Sequence, residues 1–300
     1  MISEGIASHD PERNRQNGLT VFFRQHWPLV LAFVTLVVPT FVTLSQEVWS
    51  RDSGAHAPLV LASATWLFTQ CRGRVSAVAE RGAALPGTAV LLVSLPLYTF
   101  GRAYDFIVLE TAGLYLTLLA LAYFIWGARA LKEASFPLFY LGFLVPPPDW
   151  LIAQITAPLR TFVSWVSTSG LHALGFPIER EGITLYIAQY QLLVEDACSG
   201  MNSIIGLTAI SLFYIYITHR ASWRYSAFLM LFILPIAVIA NIIRIVTLVL
   251  LTYYYGDAVA QGFLHMTAGV VLFALALGLV FLLDMVMMRV IGWWRERTAP

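Results

Sequence analysis

Three side chains in this sequence have the chemistry for acyl transfer. They are Cys198 in VEDACSGMNSIIGL, Arg244 in PIAVIANIIRIVTLVLL and His265 in GDAVAQGFLHMTAGVV. A thiolate attacks a carbonyl, an imidazole moves protons, and a guanidinium stabilises the oxyanion. Each alone has a plainer reading. A lone cysteine is usually an inert small hydrophobe, an arginine in an apolar run can snorkel to an interface, and an interfacial histidine is commonly a satisfied polar group. Three features favour a reactive Cys198. It precedes an apolar helix whose N-terminal dipole favours thiolate, Gly200 permits close approach by a substrate backbone, and Ser199 and Asn202 stand beside it as donors. Glu195 and Asp196 oppose it by raising a thiol pKa. Arg244 shares a helical face with Asn241, three residues earlier. His56, in SGAHAPLV, and Glu110 are weaker candidates.

The elements that must position these residues are membrane spans. Of the 300 residues, 59% are hydrophobic and 12% charged, against about 25% charged in ordinary globular domains. So few charges cannot cover a soluble surface, and lipid is the natural solvent. A net charge of +1, with no basic tract, argues against a nucleic-acid partner. Cys71 and Cys198 are too far apart in the sequence to be read as a disulfide framework. No zinc-type spacing, serine elbow or P-loop is present, and neither a metal nor a cofactor is expected. The first apolar run lacks a small-residue cleavage pattern and reads as a retained anchor.

A crossing helix needs about 20 apolar residues. Clear candidates run over 28–45, 85–100, 106–127, 197–218, 226–252 and 263–288, with shorter ones at 57–70 and 135–145. The Pro146-Pro147-Pro148 run should stop the last of these. Segment 150–174 mixes Gln154, Arg160 and several Ser and Thr with apolar residues, and either lies along the interface or re-enters. Segment 177–194 alternates, is rich in β-branched and aromatic residues, and reads as an extended or hairpin-like excursion. The expected fold is an all-α integral membrane bundle of about eight crossings. It has a polar tail over 1–25, a catalytic membrane domain over 26–292 with an excursion over 146–195 on its outer face, and a short tail over 293–300.

Thirteen of the 18 basic residues fall on one side if the N-terminus is cytoplasmic, including Arg13, Arg15, Arg24, Arg72, Arg74, Arg81, Arg129 and Lys132. The positive-inside rule then puts both termini inside. Cys198 begins an inward-going span, Arg244 lies in the outer half of an outward-going one, and His265 begins the next inward-going one. Arg244 is roughly 12 Å deep at about 1.5 Å per residue, where a charge costs about 2.5–3.5 kcal/mol or more. All three therefore belong to the outer half of the bilayer, whereas Cys71 belongs inside.

With those residues assembled, the sequence resembles the exosortase/archaeosortase family. DACSG at Cys198, NIIR at Asn241 and Arg244, and the later His265 carry the resemblance. AHAPLV at His56, FLVPPP over 143–148 and GFPIEREGITL over 175–185 extend it to most of 28–290. It implies a bacterial inner-membrane cysteine protease or transpeptidase with Cys198, Arg244 and His265 as its triad, facing the periplasm. Its partner would be an exported, membrane-anchored protein with a C-terminal sorting signal: a Pro-Glu-Pro-type motif, a membrane helix and an arginine-rich tail. The family is also associated with exopolysaccharide synthesis. Asn202 departs from the basic residue that many members carry there. Two other classes compete. One is a transporter or exopolysaccharide export component using Arg244 and Glu110 as pathway charges. The other is a glycan polymerase or acyltransferase.

Overall fold

The computed structural model describes residues 27–29, 31–50, 54, 56–193, 199–218, 223–261, 274, 276–290 and 293. The chain divides into two compact units, Met1–Ser45 and Gln46–Pro300. The described part of the first unit belongs to α1, an apolar helix over Trp27–Val48. Along it the hydroxyls of Thr35, Thr40 and Thr43 donate back to carbonyls one turn earlier, which hides them from an apolar solvent.

The second unit is helical with one small sheet. Its elements are α2 (Ala57–Val78), α3 (Ala84–Ala103), α4 (Ile107–Glu133), α5 (Ser135–Leu141), α6 (Asp149–Ala173), α7 (Ser199–Thr218), α8 (Trp223–Tyr255) and the short α9 (Asp257–Gln261). Residues 276–290 form α10. Among the described residues four helices are long and apolar enough to cross a membrane, α1, α3, α4 and the Ala227–Tyr255 part of α8, and a bent pair makes a fifth. The other expected crossings are also helices. They are α2, which contains Arg72 and Arg74, α7, whose apolar part is Ile205–Thr218, and α10, which follows residues outside the described set.

Local chemistry accounts for the breaks. Gly127 takes φ 74° and interrupts α4 where the apolar run of 106–127 ends. A Cβ there would run into the Glu80 carbonyl, so glycine is required by both conformation and space. The three prolines after Val145 cannot continue a helix, and the chain turns by 88° between Ser135–Leu144 and α6. Segment 150–174 is almost entirely one helix, α6. It also wears its polarity inside out: Trp150, Ile155, Phe162 and Trp165 are exposed, whereas Thr156, Ser164 and Ser167 are buried. That pattern suits an apolar surrounding, not water.

The excursion is a three-stranded antiparallel meander of β1 (Ile178–Glu181), β2 (Thr184–Ile187) and β3 (Tyr190–Leu193). Two-residue turns join the strands, with positive φ at Gly182 and Ala188, as such tight hairpins demand. The period of two puts Leu185 and Ile187 inside and leaves Tyr186 exposed. The buried face joins Val163 and Leu171 of α6 and Ile245, Leu248 and Val249 of α8 in one core cluster. The other face of α8 packs Leu229, Ile233, Ile236, Ala237 and Ala240 against α7 and α10.

Candidate active site

Arg244 and Asn241 lie on α8 between these two packing faces. Each is only 5% exposed, so the guanidinium is enclosed by protein and does not lie along the outer surface. Ile245, the next residue, belongs to the cluster made by the sheet and α6. The meander is therefore built against the stretch of α8 that carries the arginine.

Cys198 and His265, with Glu195 and Asp196, lie outside the described residues. Ser199 and Asn202 belong to the first turn of α7, and their side chains are also outside the described set. A 20-residue helix begins at Ser199, the residue after Cys198 in the sequence. Helix α7 packs on α8, with Leu207 and Ile215 in the cluster that holds Ala237 and Ala240.

His56 sits just before α2 and lines a cavity of about 110 Å³. Its wall combines Glu47, Ile107 at the start of α4, Pro146 and Pro147 of the sharp bend, Asp149 of α6 and Ile205 of α7. A Cβ at Gly206 would stand 2.9 Å from His56 Cβ, so glycine lets α7 approach this histidine. The charge rule sends these segments to one side of a membrane, and the structure gathers them at one end of the second unit. The opposite end is gathered likewise. Arg129 pairs with Glu80 at 3.1 Å and Arg74 meets Glu133 at 4.0 Å. Asp284 of α10 accepts from Tyr214 of α7 at 2.5 Å and from Tyr225 at the start of α8 at 2.6 Å. Tyr225 precedes the apolar span, and its phenol is pushed up from its ordinary value, first by burial and then by Asp284.

Two other groups have structural explanations. Cys71 is buried in the cluster of Val75, Ala130, Ala134 and Leu138, apart from the cavity. Glu110, with a side chain 3% exposed, pairs with Arg102 at 3.3 Å across the α3–α4 turn. Sequence reasoning missed one feature, a polar face on α6. Thr156, Arg160, Ser164 and Ser167 recur at steps of four, four and three, which is helical spacing. Read as a mixed segment, the run concealed it.

A family model for transmembrane exosortases matches residues 48–282. The chain belongs to that family. The matched span contains the cavity lining apart from Glu47, the meander, Arg244 and the positions of Cys198 and His265. No curated protein and no solved structure matches the chain. Family membership and the apolar helices together make it a multi-pass membrane protein.

Proposed function

We propose that this chain is a membrane cysteine endopeptidase or transpeptidase that processes C-terminal sorting signals of exported proteins at the periplasmic face of a bacterial inner membrane. The observation that carries the proposal is Arg244, enclosed at 5% exposure in the membrane bundle of an exosortase-family chain. A buried guanidinium is costly in such a place unless it has work to do. Cys198 is the nucleophile: its thiolate adds to the scissile carbonyl and the oxyanion is stabilised by Arg244. His265 gives a proton to the leaving amine as the C–N bond breaks, leaving a thioester on Cys198. Water or an amine then adds to the thioester, and the thiolate leaves. Asn241, Ser199, Asn202 and His56 support the site or the bound chain.

A substrate with its own membrane helix arrives at a fixed depth, which removes much of the entropy cost of the encounter. The meander and α6 supply a wall for the chain that enters. The export reading needs Glu110 as a pathway charge, but that carboxylate is engaged by Arg102. The test is processing of a co-expressed protein ending in a Pro-Glu-Pro-type motif, a helix and arginines. Cys198→Ala should leave it full length, whereas Cys71→Ala should process it normally. Processing by the Cys198→Ala chain would end the proposal.

A further inference from the structure

The buried face of α6 holds hydroxyls that no described residue satisfies. Thr156, Ser164 and Ser167 are 5%, 0% and 1% exposed, and their oxygens, with that of Thr168, make no hydrogen bond among the described residues. A hydroxyl in an apolar helix normally escapes this cost by donating to the carbonyl one turn back. Thr161, on the exposed side of the same helix, does so to Ala157 at 3.1 Å. Thr247 and Thr252 of α8 do the same at 2.7 and 2.9 Å. The inward hydroxyls of α6 are the exceptions on their own helix. Buried polar groups left in this state are ordinarily met by internal water, which needs two to four polar partners, and Ser164, Ser167 and Thr168 lie within about one helical turn of one another.

The row also leads somewhere. Asp149 and Ile152 line the cavity that contains His56. They stand seven and four residues before Thr156, on the same helical face. From Thr156 to Ser167 the face runs about 16 Å. Beside it Val163 and Leu171 pack on Ile245, Leu248 and Val249, the residues that follow Arg244.

We infer that the inner face of α6 is a water-binding track that leads from the His56 cavity into the bundle alongside the Arg244 helix. Its ligand is water, held by Thr156, Ser164 and Ser167. The track brings in the water that resolves the acyl-enzyme, a role that rests on the protease reading. In that step the water oxygen bonds to the thioester carbon, the C–S bond breaks with its electron pair going to Cys198, and the released proton goes to His265.

Water occupancy is tested without catalysis, in a Cys71→Ala, Cys198→Ala chain in membrane vesicles. Single cysteines are introduced as Ser164→Cys, Ser167→Cys and, as the apolar control one residue away, Val163→Cys. Silver ion, a thiol-reactive cation of about the size of water, is added. The protein is then denatured and alkylated, and the modified fraction is read by mass spectrometry. The track predicts loss of alkylation at Ser164→Cys and Ser167→Cys, with Val163→Cys still alkylated. Full alkylation at all three positions, or equal loss at all three, overturns it. Thermal unfolding of Ser164→Ala and Ser167→Ala gives a second reading that needs no labelling. Removing a hydroxyl that holds water lowers the midpoint, and removing a dry, unsatisfied one raises it. A raised midpoint in both variants overturns the inference. Neither measurement depends on Cys198 chemistry, so the track and the protease reading can fail separately.

Discussion

Replacing Gly206 by alanine puts a methyl group where α7 meets His56. The new Cβ would lie 2.9 Å from His56 Cβ and 3.3 Å from its Cγ, whereas ordinary contact begins at 3.4 Å. Neither neighbour is the far end of a flexible chain, so the helix and the histidine must part by about half an ångström. Overpacking of this kind costs about 1–3 kcal/mol. The consequence for catalysis is larger in proportion, because α7 begins one residue after Cys198 and a displacement of about 1 Å can cost about a hundredfold in rate. The assay is the processing rate of a sorting-signal substrate, normalised to folded protein, with thermal unfolding in parallel. Gly206→Ala should lower both. Adding His56→Gly, which removes the opposing Cβ, should restore the unfolding midpoint, and a double-mutant cycle reads the coupling directly. Wild-type rate and midpoint in Gly206→Ala would refute the packing argument, and with it the placement of His56 against α7.

The remaining predictions concern the supporting structure. Arg102→Ala leaves the Glu110 carboxylate buried without that cation and should cost about 2 kcal/mol, because half-exposed Arg102 is screened. Glu110→Gln added to it should recover most of the loss in a thermal unfolding assay. Asp284→Ala removes the acceptor of two short phenol bonds and should cost about 3 kcal/mol. Processing per folded molecule should hardly change. The raised Tyr225 phenol also sets a pH limit. Its contribution is complete below the ordinary phenol value of 10.0 and is lost as pH rises past it, because the unfolded chain ionises first. Tyr225→Phe should remove that part of the alkaline loss.

Features written in local pattern were readable before any coordinates. Long apolar runs became helices, the run drawn over 106–127 was interrupted at its last residue, the prolines after Val145 turned the chain, and the alternating segment became strands within 178–193. Arg244 stood out because it sits between long, largely apolar flanks. What escaped were pairings set by folding. Arg102 and Glu110 meet because the chain reverses at Asp105, a non-glycine residue at φ 57°. Asp284 finds tyrosines 70 and 59 residues away. The α6 face escaped because its polar residues are diluted by tryptophan, phenylalanine and isoleucine on the other side. Only their helical spacing, seen against burial, separates the two faces.

The central claim is that Cys198 becomes acylated. Incubating purified chain in lipid with a sorting-signal substrate, quenching in acid and mapping peptides by mass spectrometry tests it most directly. The account predicts a hydroxylamine-sensitive substrate adduct on Cys198, diminished by His265→Ala, which removes the acid for the leaving amine, and absent from Cys71. Cleaved substrate with Cys198 never modified, under conditions that preserve thioesters, would contradict it.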